Sequence, residues 1–354
     1  MGRLLTILFI VLVMGGFACR NDSISPPDGI PPGKRDYTWS IDSVDYENLP
    51  SIIQLESIWG SSSVDVWGAA GDAPDVRDCL WHYNGVKWSR ATAGTPITEF
   101  TGNKTVYAVW GSARTDVWAV GRKINYGMLS AFLMHYDGTR WTDATPRNVS
   151  ALSSILYNIY GVTNNNIWVG GEEYALNYDG GFWKAYKIAD SVIVNSTTSN
   201  SKKVYLDTYS PWGKDSVFVY SLSNNTIEQI DHSTRSHSKF GSGLWATDTR
   251  LISFANGIIS SKLNSDGILD TMSWNREFTT PTYFRNRFIQ SEKNVFAVGV
   301  WNLIYHYNGI DWKQILISVT NHTVDSHSDF WGVWTDGGEV FICDWQNGIV
   351  YNGR

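Results

Sequence analysis

Hydrophobic and polar residues alternate along most of this chain with the period of two that is typical of β-strands. The stretch "VWAVG" (117–121) alternates large apolar residues with small ones, and "SARTD" (112–116) before it is polar. Ser and Asp side chains bond their own backbone in tight turns, and pairs such as "NG" (84–85) favour the positive φ of hairpin turns. Capping residues followed by a long helical period are nearly absent. The pattern therefore predicts an all-β protein of short strands and tight turns.

A repeated motif sets the architecture. The four clearest copies have an aromatic residue six positions before an Asp or Asn, then a β-branched residue and a Trp or Phe, as in "WGSARTDVW" (110–118), and three weaker copies lack some of these features. Taking the residue before the β-branched one as an anchor gives seven positions: Asp65, Asp116, Asn166, Ser216, Arg250, Asn294 and Glu339. They are 34 to 51 residues apart, which is the size of one four-stranded propeller blade. We therefore predict a seven-bladed β-propeller.

The last copy is incomplete. It ends in "IVYNGR" (349–354), whereas the first copy continues as "HYNGVKW" (82–88) into a final strand. The missing strand is predicted at the other end of the chain, in "RDYTWSID" (35–42), which carries a lone Trp39. If "YNGR" is followed by this segment as by a hairpin turn, Arg354 lies beside it and Trp39 packs like the other fourth-strand tryptophans. Such closure removes two open sheet edges.

The N-terminus has the layout of a secretory signal. One Arg, an apolar run and small residues precede Cys19, so residues 1–18 are predicted to be a signal peptide and Cys19 a lipidated N-terminus. Residues 19–36 are rich in Pro, Gly and Ser and are expected to form a flexible tether. The propeller is predicted over residues 37–354. This organisation indicates a protein anchored in a bacterial cell envelope, at the outer membrane or the periplasmic face.

Composition narrows the functions. The chain has 354 residues and a net charge of −6, which gives no electrostatic footprint for nucleic acid. Most of the 18 tryptophans occupy repeated positions, where large rings fill the space between sheets. His82, His135 and His306 also repeat and are predicted to be structural. Two of the three cysteines, Cys79 and Cys343, are buried thiols or a disulfide.

Residues outside the repeat are the candidates for function. The connections between second and third strands, and between one blade and the next, vary in length and emerge on one face, where we expect binding. Trp301 and Trp345 occupy equivalent positions there and form either a stacking platform or covers over blade ends. The predicted ligand-binding residues are Trp301, Trp345, Tyr126, Arg122, Lys123, Asp72, Asp75, Arg77, Glu172, Glu173 and Tyr174.

Catalytic and metal-binding motifs are weak. The chain has no "GxSxG", "HExxH" or Walker sequence. Glu172 and Glu173 are adjacent, so in a strand they point to opposite faces and form a poor acid/base pair. His322, Asp325, His327 and Asp329 have ligand chemistry, but polar loops often share this composition. We predict no metal, no cofactor and no catalytic residue.

The stretches "WGSSSVDVWGAAG" (59–71) and "HYDGTRW" (135–141) resemble the repeats of lipid-anchored bacterial propellers, "WGSSxxDVWAVG…HYDGxxW". Such sequences often carry the label glucosyl transferase. The chain is also similar to Asp-box (BNR) propellers and to photosystem II assembly propellers, although its "DG" turn is one residue shorter than the Asp-box "DxG". The resemblance covers nearly the whole chain after Cys19.

Two functional hypotheses follow. The first is a non-catalytic, monomeric, lipid-anchored envelope propeller that binds a glycan or a protein partner through its variable face. The second is a glycan-active enzyme, either a glucosyl transferase as the resemblance implies or a hydrolase or lyase, with acidic residues in the central funnel.

Overall fold

The computed structural model describes residues 32–44, 53–71, 79–91, 103–150, 155–211, 216–234, 240, 242–346 and 348–354. These residues form seven four-stranded antiparallel sheets. The predicted all-β, seven-bladed propeller is therefore confirmed.

The strands are numbered along the chain. The first, β1 (Trp39–Ser43), belongs to blade 7. Blade 1 contains β2 (Gln54–Ser62), β3 (Asp65–Gly71), β4 (Leu80–Tyr83) and β5 (Trp88–Arg90). Blade 2 contains β6 (Asn103–Ala113), β7 (Asp116–Asn125), β8 (Met128–Tyr136) and β9 (Trp141–Asp143), and a single helical turn, α1 (Arg147–Ser150), follows it. Blade 3 contains β10 (Leu156–Thr163), β11 (Asn166–Gly171), β12 (Tyr174–Tyr178) and β13 (Trp183–Lys187).

The second half of the chain repeats this order. Blade 4 contains β14 (Ile193–Ser199), β15 (Val204–Tyr209), β16 (Ser216–Ser223) and β17 (Thr226–Thr234). Blade 5 contains β18 (Leu244–Ala246), β19 (Arg250–Ala255), β20 (Gly257–Lys262) and β21 (Asn275–Thr279). Blade 6 contains β22 (Phe284–Ser291), β23 (Asn294–Gly299), β24 (Leu303–Tyr307) and β25 (Trp312–Gln314). Blade 7 contains β26 (Phe330–Thr335), β27 (Val340–Asp344), β28 (Ile349–Gly353) and β1.

The first strand of each blade is the innermost. In blade 1, β2 contacts both β6 of blade 2 and β26 of blade 7, so the first strands surround the central axis. Turns between first and second and between third and fourth strands, such as residues 63–64 and 84–87, lie on one face, here named the turn face. The remaining connections, such as residues 126–127 and 315–329, lie on the opposite face, here named the mouth face.

A polar cluster stabilises the turn face of blade 1. His82 Nε2 lies 2.7 Å from Asp65 Oδ1, and Ser61 donates to Asp65 Oδ2 at 2.5 Å. Asp65 is only 2% exposed. Burial alone raises the pKa of this carboxyl, but the hydrogen bonds from His82 and Ser61 outweigh burial and hold the pKa below its usual value.

The same cluster recurs in other blades. His135 Nε2 lies 2.7 Å from Asp116 in blade 2, and His306 Nε2 lies 2.7 Å from the Asn294 side chain in blade 6. Burial lowers the pKa of His306 to about 3, so this ring is neutral and donates to an amide oxygen. The repeated histidines are therefore structural, as predicted.

Aromatic rings fill the space between blades. In blade 2, Tyr136 packs on Trp141 of the fourth strand with ring centroids 5.4 Å apart. The same tyrosine lies 4.9 Å from Trp67 of blade 1. Trp141 is fully buried. Because blades 2 and 3 repeat this arrangement, with Trp118 5.5 Å from Tyr178 and 5.7 Å from Trp183, the high tryptophan content belongs mostly to the core.

One predicted anchor is wrong. Ser216 begins β16, the third strand of blade 4, whereas the second strand begins at Val204. The pair Val217 and Phe218 imitates the Val–Trp signal of other blades, while the true second strand carries Tyr205 with no Asp or Asn before it. The apparent 34-residue spacing came from this misplacement. The number of blades is unaffected.

The predicted closure by the two ends of the chain is confirmed. β1 pairs antiparallel with β28, so that Trp39 is opposite Gly353 and Ser43 is opposite Ile349. Thr38 and Arg354 extend this ladder by exchanging two backbone hydrogen bonds, of 2.8 and 2.9 Å. Trp39 is 7% exposed, as expected for a fourth-strand tryptophan.

The register of this closure differs from the prediction by two residues. Asn352 and Gly353 are not a hairpin turn but the end of β28, and the third-strand tyrosine position is occupied by Gly353. Tyr37 fills the resulting space, since its Cβ would lie 3.1 Å from a Cβ added to Gly353. The Tyr37 ring packs on Trp39 (5.7 Å) and on Phe296 of blade 6 (6.2 Å). The segment before β1 thus supplies a side chain that the last strand lacks.

Residues 32–38 continue across the turn face of blade 6. Gly33 N donates to Lys293 O at 3.2 Å, and Arg35 pairs with Asp311 at 2.7 Å. The last residues of the predicted tether therefore lie against the propeller. The predicted signal peptide, Cys19 and the rest of the predicted tether lie outside the described residues.

The two remaining cysteines are buried free thiols, which settles the open alternative against a disulfide. Cys343 Sγ lies 3.7 Å from Leu55 O, and burial raises the pKa of this thiol. Within the described ranges, no helix is long and apolar enough to cross a membrane.

Candidate functional site

A ring of β-bulges surrounds the central axis on the mouth face. In six blades, the innermost strand carries one extra residue in its first half, which interrupts its ladder with the second strand. A bulge re-aims a side chain and is typical of rims and functional sites. The bulged residues are Glu56, Tyr107, Tyr157, Asn195, Arg285 and Trp331.

This ring of bulges is not among the features predicted from the sequence, although the sequence carries a signal for it. In five blades the bulged residue lies three positions before an aromatic residue, as Glu56 does before Trp59 and Tyr107 before Trp110, and in blade 4 Asn195 lies three positions before Thr198. The position is constant, but its side chain changes from blade to blade in charge, size and aromaticity. A fixed position with variable chemistry indicates specificity rather than packing.

A continuous row of rings crosses blades 6, 7 and 1. The Arg285 guanidinium lies 4.7 Å from the Tyr283 ring centroid and 4.6 Å from that of Trp331. Trp331 in turn stacks on Trp345, with centroids 5.2 Å apart and planes 18° from parallel. Trp345 Nε1 donates to Glu56 at 3.4 Å. Three bulged residues are thus joined through Trp345.

A second group joins blades 2 and 3. Tyr107 and Tyr157 stack with centroids 5.6 Å apart, and the Arg122 guanidinium lies 5.8 Å from the Tyr107 ring. Burial raises the pKa of Tyr157, and the charge of Glu172 raises it further. Arg122 and Glu172, both predicted site residues, therefore lie at the ring of bulges.

Hydrogen bonds between neighbouring blades fix the positions of the bulges. The residue after a bulge bonds to the innermost strand of the next blade: Asn158 donates to Val194 O at 2.6 Å, and Asn286 donates to Trp331 O at 2.7 Å. Because neighbouring sheets share no backbone ladder, these bonds hold adjacent bulges at constant separation.

The predicted insertion of blade 2 is a β-hairpin that projects from the mouth face. β7 and β8 remain paired through Asn125 opposite Met128, with Tyr126 and Gly127 at the tip. Tyr126 is fully exposed, and Met128 and Leu129 are 71% and 46% exposed. Lys123 pairs with Asp143 at 3.2 Å lower on the hairpin. The tip presents adjacent apolar side chains to solvent, which is unusual for a surface turn.

The two predicted tryptophans differ in their surroundings. Trp301 is 60% exposed and has a φ of +57°, whereas Trp345 is half-buried in its stack with Trp331. Both tryptophans are bonded to the connection of residues 315–329. Asn302 N, next to Trp301, donates to Ser328 O, and Trp345 N donates to Asp329 O.

The predicted residues of blade 3 diverge. Glu173 has a φ of +61° and accepts a hydrogen bond from Ser191 N at 2.8 Å, on the outer side of the blade. Glu172 instead pairs with Ile193 of blade 4 in an isolated backbone β-bridge, and its charge acts on Tyr157. Tyr174 begins β12 and is half-buried. The two glutamates do not oppose each other as a hydrolytic pair requires.

Other predicted residues are far from such a cluster or are not described. Asp72, Asp75 and Arg77 lie outside the described residues. His327 lies 3.5 Å from Asp325 on an exposed connection. In the described part of the chain, no group of three His, Cys, Asp or Glu side chains is placed to hold a metal.

Backbone strain also concentrates on this face. Tyr126, Glu173 and Trp301 all adopt the left-handed conformation, which is unfavourable for residues other than Gly, Asn and Asp. Each occupies the connection between second and third strands of its blade. Left-handed residues at equivalent positions keep these connections short and project their side chains outward.

No protein-family model matches the chain, and no curated protein is significantly similar to it. The fold is similar to that of YCF48 bound to a D1 peptide, with a TM-score of 0.59, 15% identity, and coverage of 91% of this chain and 99% of that one. The fold is also similar to that of YCF48 from Cyanidioschyzon merolae, with a TM-score of 0.57 and 14% identity. That match covers 89% of this chain and 98% of the other.

A bacterial propeller is similar to the same degree. The extracellular domain of a putative hybrid two-component system from B. thetaiotaomicron has a TM-score of 0.57 and 12% identity. The match covers 90% of this chain and 42% of that one. At these identities, the likeness concerns the propeller fold alone.

Proposed function

We propose that this propeller is a non-catalytic binding protein that engages a protein partner on its mouth face. The observation that carries this proposal is the hairpin tip of blade 2, where Tyr126, Met128 and Leu129 are exposed together. Apolar side chains grouped on a projecting element are typical of protein contact sites.

The ring of bulges supplies the second part of the proposed surface. Tyr and Trp are frequent anchors of protein interfaces, and Arg is the charged residue most enriched there. The ring contains Tyr107 and Tyr157 near the base of the hairpin, and Arg285 and Trp331 in blades 6 and 7. Its hydrogen-bonded backbone lets these side chains bind without first being ordered.

One structural neighbour supports a protein ligand. YCF48, whose fold this chain shares, has been solved with a D1 peptide bound. The likeness does not locate a site on this chain, but it supports a peptide segment as one kind of ligand for a propeller of this form.

Site-specific photo-crosslinking in cells tests the proposal. A photoreactive phenylalanine replaces Tyr126 on the mouth face or, as the control, Val86 on the turn face, which is 83% exposed. Both side chains sit at hairpin tips, so they differ in face rather than in access. We expect a discrete crosslinked partner from position 126 and none from position 86. A crosslink confined to position 86 would reject the mouth face.

A glycan ligand is the second candidate, and the exposed ring of Trp301 favours it, because sugars stack on open aromatic faces. A glycan-array screen of the chain tests it, with a Trp301→Ala and Trp345→Ala double variant. Binding that the double variant loses supports a glycan. Equal binding by both proteins would place any glycan elsewhere.

We also propose the envelope anchor at Cys19, in keeping with the resemblance to lipid-anchored propellers. Residues 32–38 lie on the turn face, so a tether would leave there and the mouth face would point away from the membrane. A Cys19→Ala variant should move the protein from the membrane fraction to the soluble fraction. Unchanged membrane association would remove the anchor from the proposal.

A further inference from the structure

Arg285 of blade 6 is a cation held between aromatic rings rather than by a counter-ion. Its guanidinium lies between Tyr283 (4.7 Å) and Trp331 (4.6 Å). The negative faces of aromatic rings attract a cation at such distances. Tyr283 is 41% exposed, so this position opens to solvent on the mouth face.

The charge of Arg285 has no acidic partner among the described residues, although other arginines do. Arg35 and Arg354 pair with Asp311 and Glu339 at 2.7 and 3.0 Å. By contrast, the Arg285 Nε and the neighbouring Trp331 Nε1 find no acceptor in the described part of the chain. The guanidinium is a delocalised cation, so this position carries a positive charge.

The surrounding bonds fix this position before any ligand arrives. Asn286, the residue after the bulge, donates to Trp331 O at 2.7 Å and so ties blade 6 to blade 7. Trp345 stacks on Trp331 and is itself bonded to Glu56. A site whose cation and rings are already positioned loses little conformational entropy on binding.

We infer that Arg285 binds a carboxylate of an acidic peptide segment in the partner. The two rings cover the faces of the guanidinium and leave its edge open. The parallel N–H groups of that edge match the two oxygens of a carboxylate. This inference rests on the proposed function, since it names the chemistry that the mouth face recognises.

A peptide fits this position better than a sugar does. Trp331 is contacted over its ring by both Arg285 and Trp345, so it offers no open face for a pyranose. What remains is an edge of hydrogen-bond donors beside the partly exposed Tyr283 ring. This combination suits an Asp or Glu side chain, or a terminal carboxylate, next to an apolar residue.

A peptide array tests the inference with the full chain as the soluble Cys19→Ala variant. The probes are paired peptides that differ only by Asp or Glu against Asn or Gln, each with a free and an amidated C-terminus. We expect at least tenfold tighter binding of the acidic member. Comparing the two C-terminal forms distinguishes side-chain from terminal carboxylates.

Variants assign the preference to one residue. Arg285→Met should abolish the acidic preference at an unchanged melting temperature, and Arg285→Lys should reduce it, because an ammonium keeps the charge but loses the planar fork. Arg276→Met is the matched control, since Arg276 lies on the exposed fourth strand of blade 5. This control should retain the full preference.

The outcomes separate this inference from the proposed function. An acidic preference that survives Arg285→Met, or that the unsubstituted chain lacks, overturns the inference. If crosslinking from position 126 still captures a partner, the proposed function stands. Oligogalacturonate, a sugar polymer with carboxylate groups, is the competing probe. If it binds and the acidic peptides do not, the assignment to a peptide is overturned.

Discussion

The turn face and the mouth face follow opposite rules. On the turn face, blades 1 and 2 repeat the same cluster with the same 2.7 Å contact between a histidine and a carboxylate. On the mouth face, one bulge occurs at the same place in six blades, but its side chain is acidic, basic, amide or aromatic. Repetition marks the residues that hold the ring, and variation marks those available for recognition.

This contrast explains how one repeat can serve structure and specificity together. The turn-face cluster satisfies buried polar groups and fixes each blade. The bulge changes the mouth face without altering the ladder beyond it. Substitutions on the two faces should therefore differ in kind, and the following predictions test this from the largest effect to the smallest.

Loss of the closing strand should have the largest effect. Deleting residues 35–42 removes Tyr37 and most of β1, so we expect the ring to open and the protein to lose cooperative unfolding. The milder Trp39→Ala should lower the free energy of unfolding by about 3 to 5 kcal/mol, as for other buried aromatics. Urea titration followed by tryptophan fluorescence measures both. As the control, Trp301→Ala at an exposed position should change the free energy of unfolding by less than about 0.5 kcal/mol.

Breaking one turn-face cluster should have the next largest effect. Asp65→Ala leaves His82 and Ser61 without their acceptor, and we expect a loss of about 2 to 3 kcal/mol in urea titration. Asp65→Asn should cost much less, because Asn294 accepts from His306 in the same way. Equal losses for the two variants would show that the charge, not the hydrogen bond, stabilises the cluster.

The neutral His306 should make stability depend on pH. Its folded pKa of about 3 is below the unfolded value of about 6.5, so its contribution is complete above pH 6.5. That contribution is lost progressively as the pH falls toward 3, at up to about 1.4 kcal/mol per pH unit. His306→Asn should flatten this slope in denaturation at pH 7.5, 6 and 5. The exposed His322→Asn should leave the slope unchanged; a flattened slope there would contradict the assignment.

Substitutions at the hairpin tip should have the smallest effect on stability. Tyr126→Ser and Met128→Ser remove exposed apolar side chains, so we expect changes within about 0.5 kcal/mol. Capture of a partner through a photoreactive residue at position 129 should nevertheless be lost. A large loss of stability would mean that the tip packs against the ring and is not a recognition element.

The sequence predicts the features that recur from blade to blade and misses those that differ between blades. Fold class and number of blades followed from the recurring motif, which has its Asp or Asn anchor in blades 1, 2, 3 and 6, and closure followed from Trp39. The error at Ser216 arose where blade 4 lacks that anchor, and the two-residue register error arose because "YNG" has the same letters in a strand as in a turn.

The candidate site was predicted only in part. The variable connections predicted that Arg122 and Glu172 lie on the mouth face, but the bulges have no signal in strand alternation because one extra residue shifts the register locally. Arg285 and Trp331 come together only because Asn286 joins two separate sheets, and no local pattern encodes that contact.

Closure by both ends also sets the order of events during synthesis. At a typical rate of 5 to 20 residues per second, the roughly 310 residues between β1 and β28 take about 15 to 60 s to synthesise. During that time β1 has no partner strand. Because Trp39 lies opposite Gly353, β1 can complete its ladder only after residue 353 has been synthesised. The closed ring therefore requires both ends of the chain.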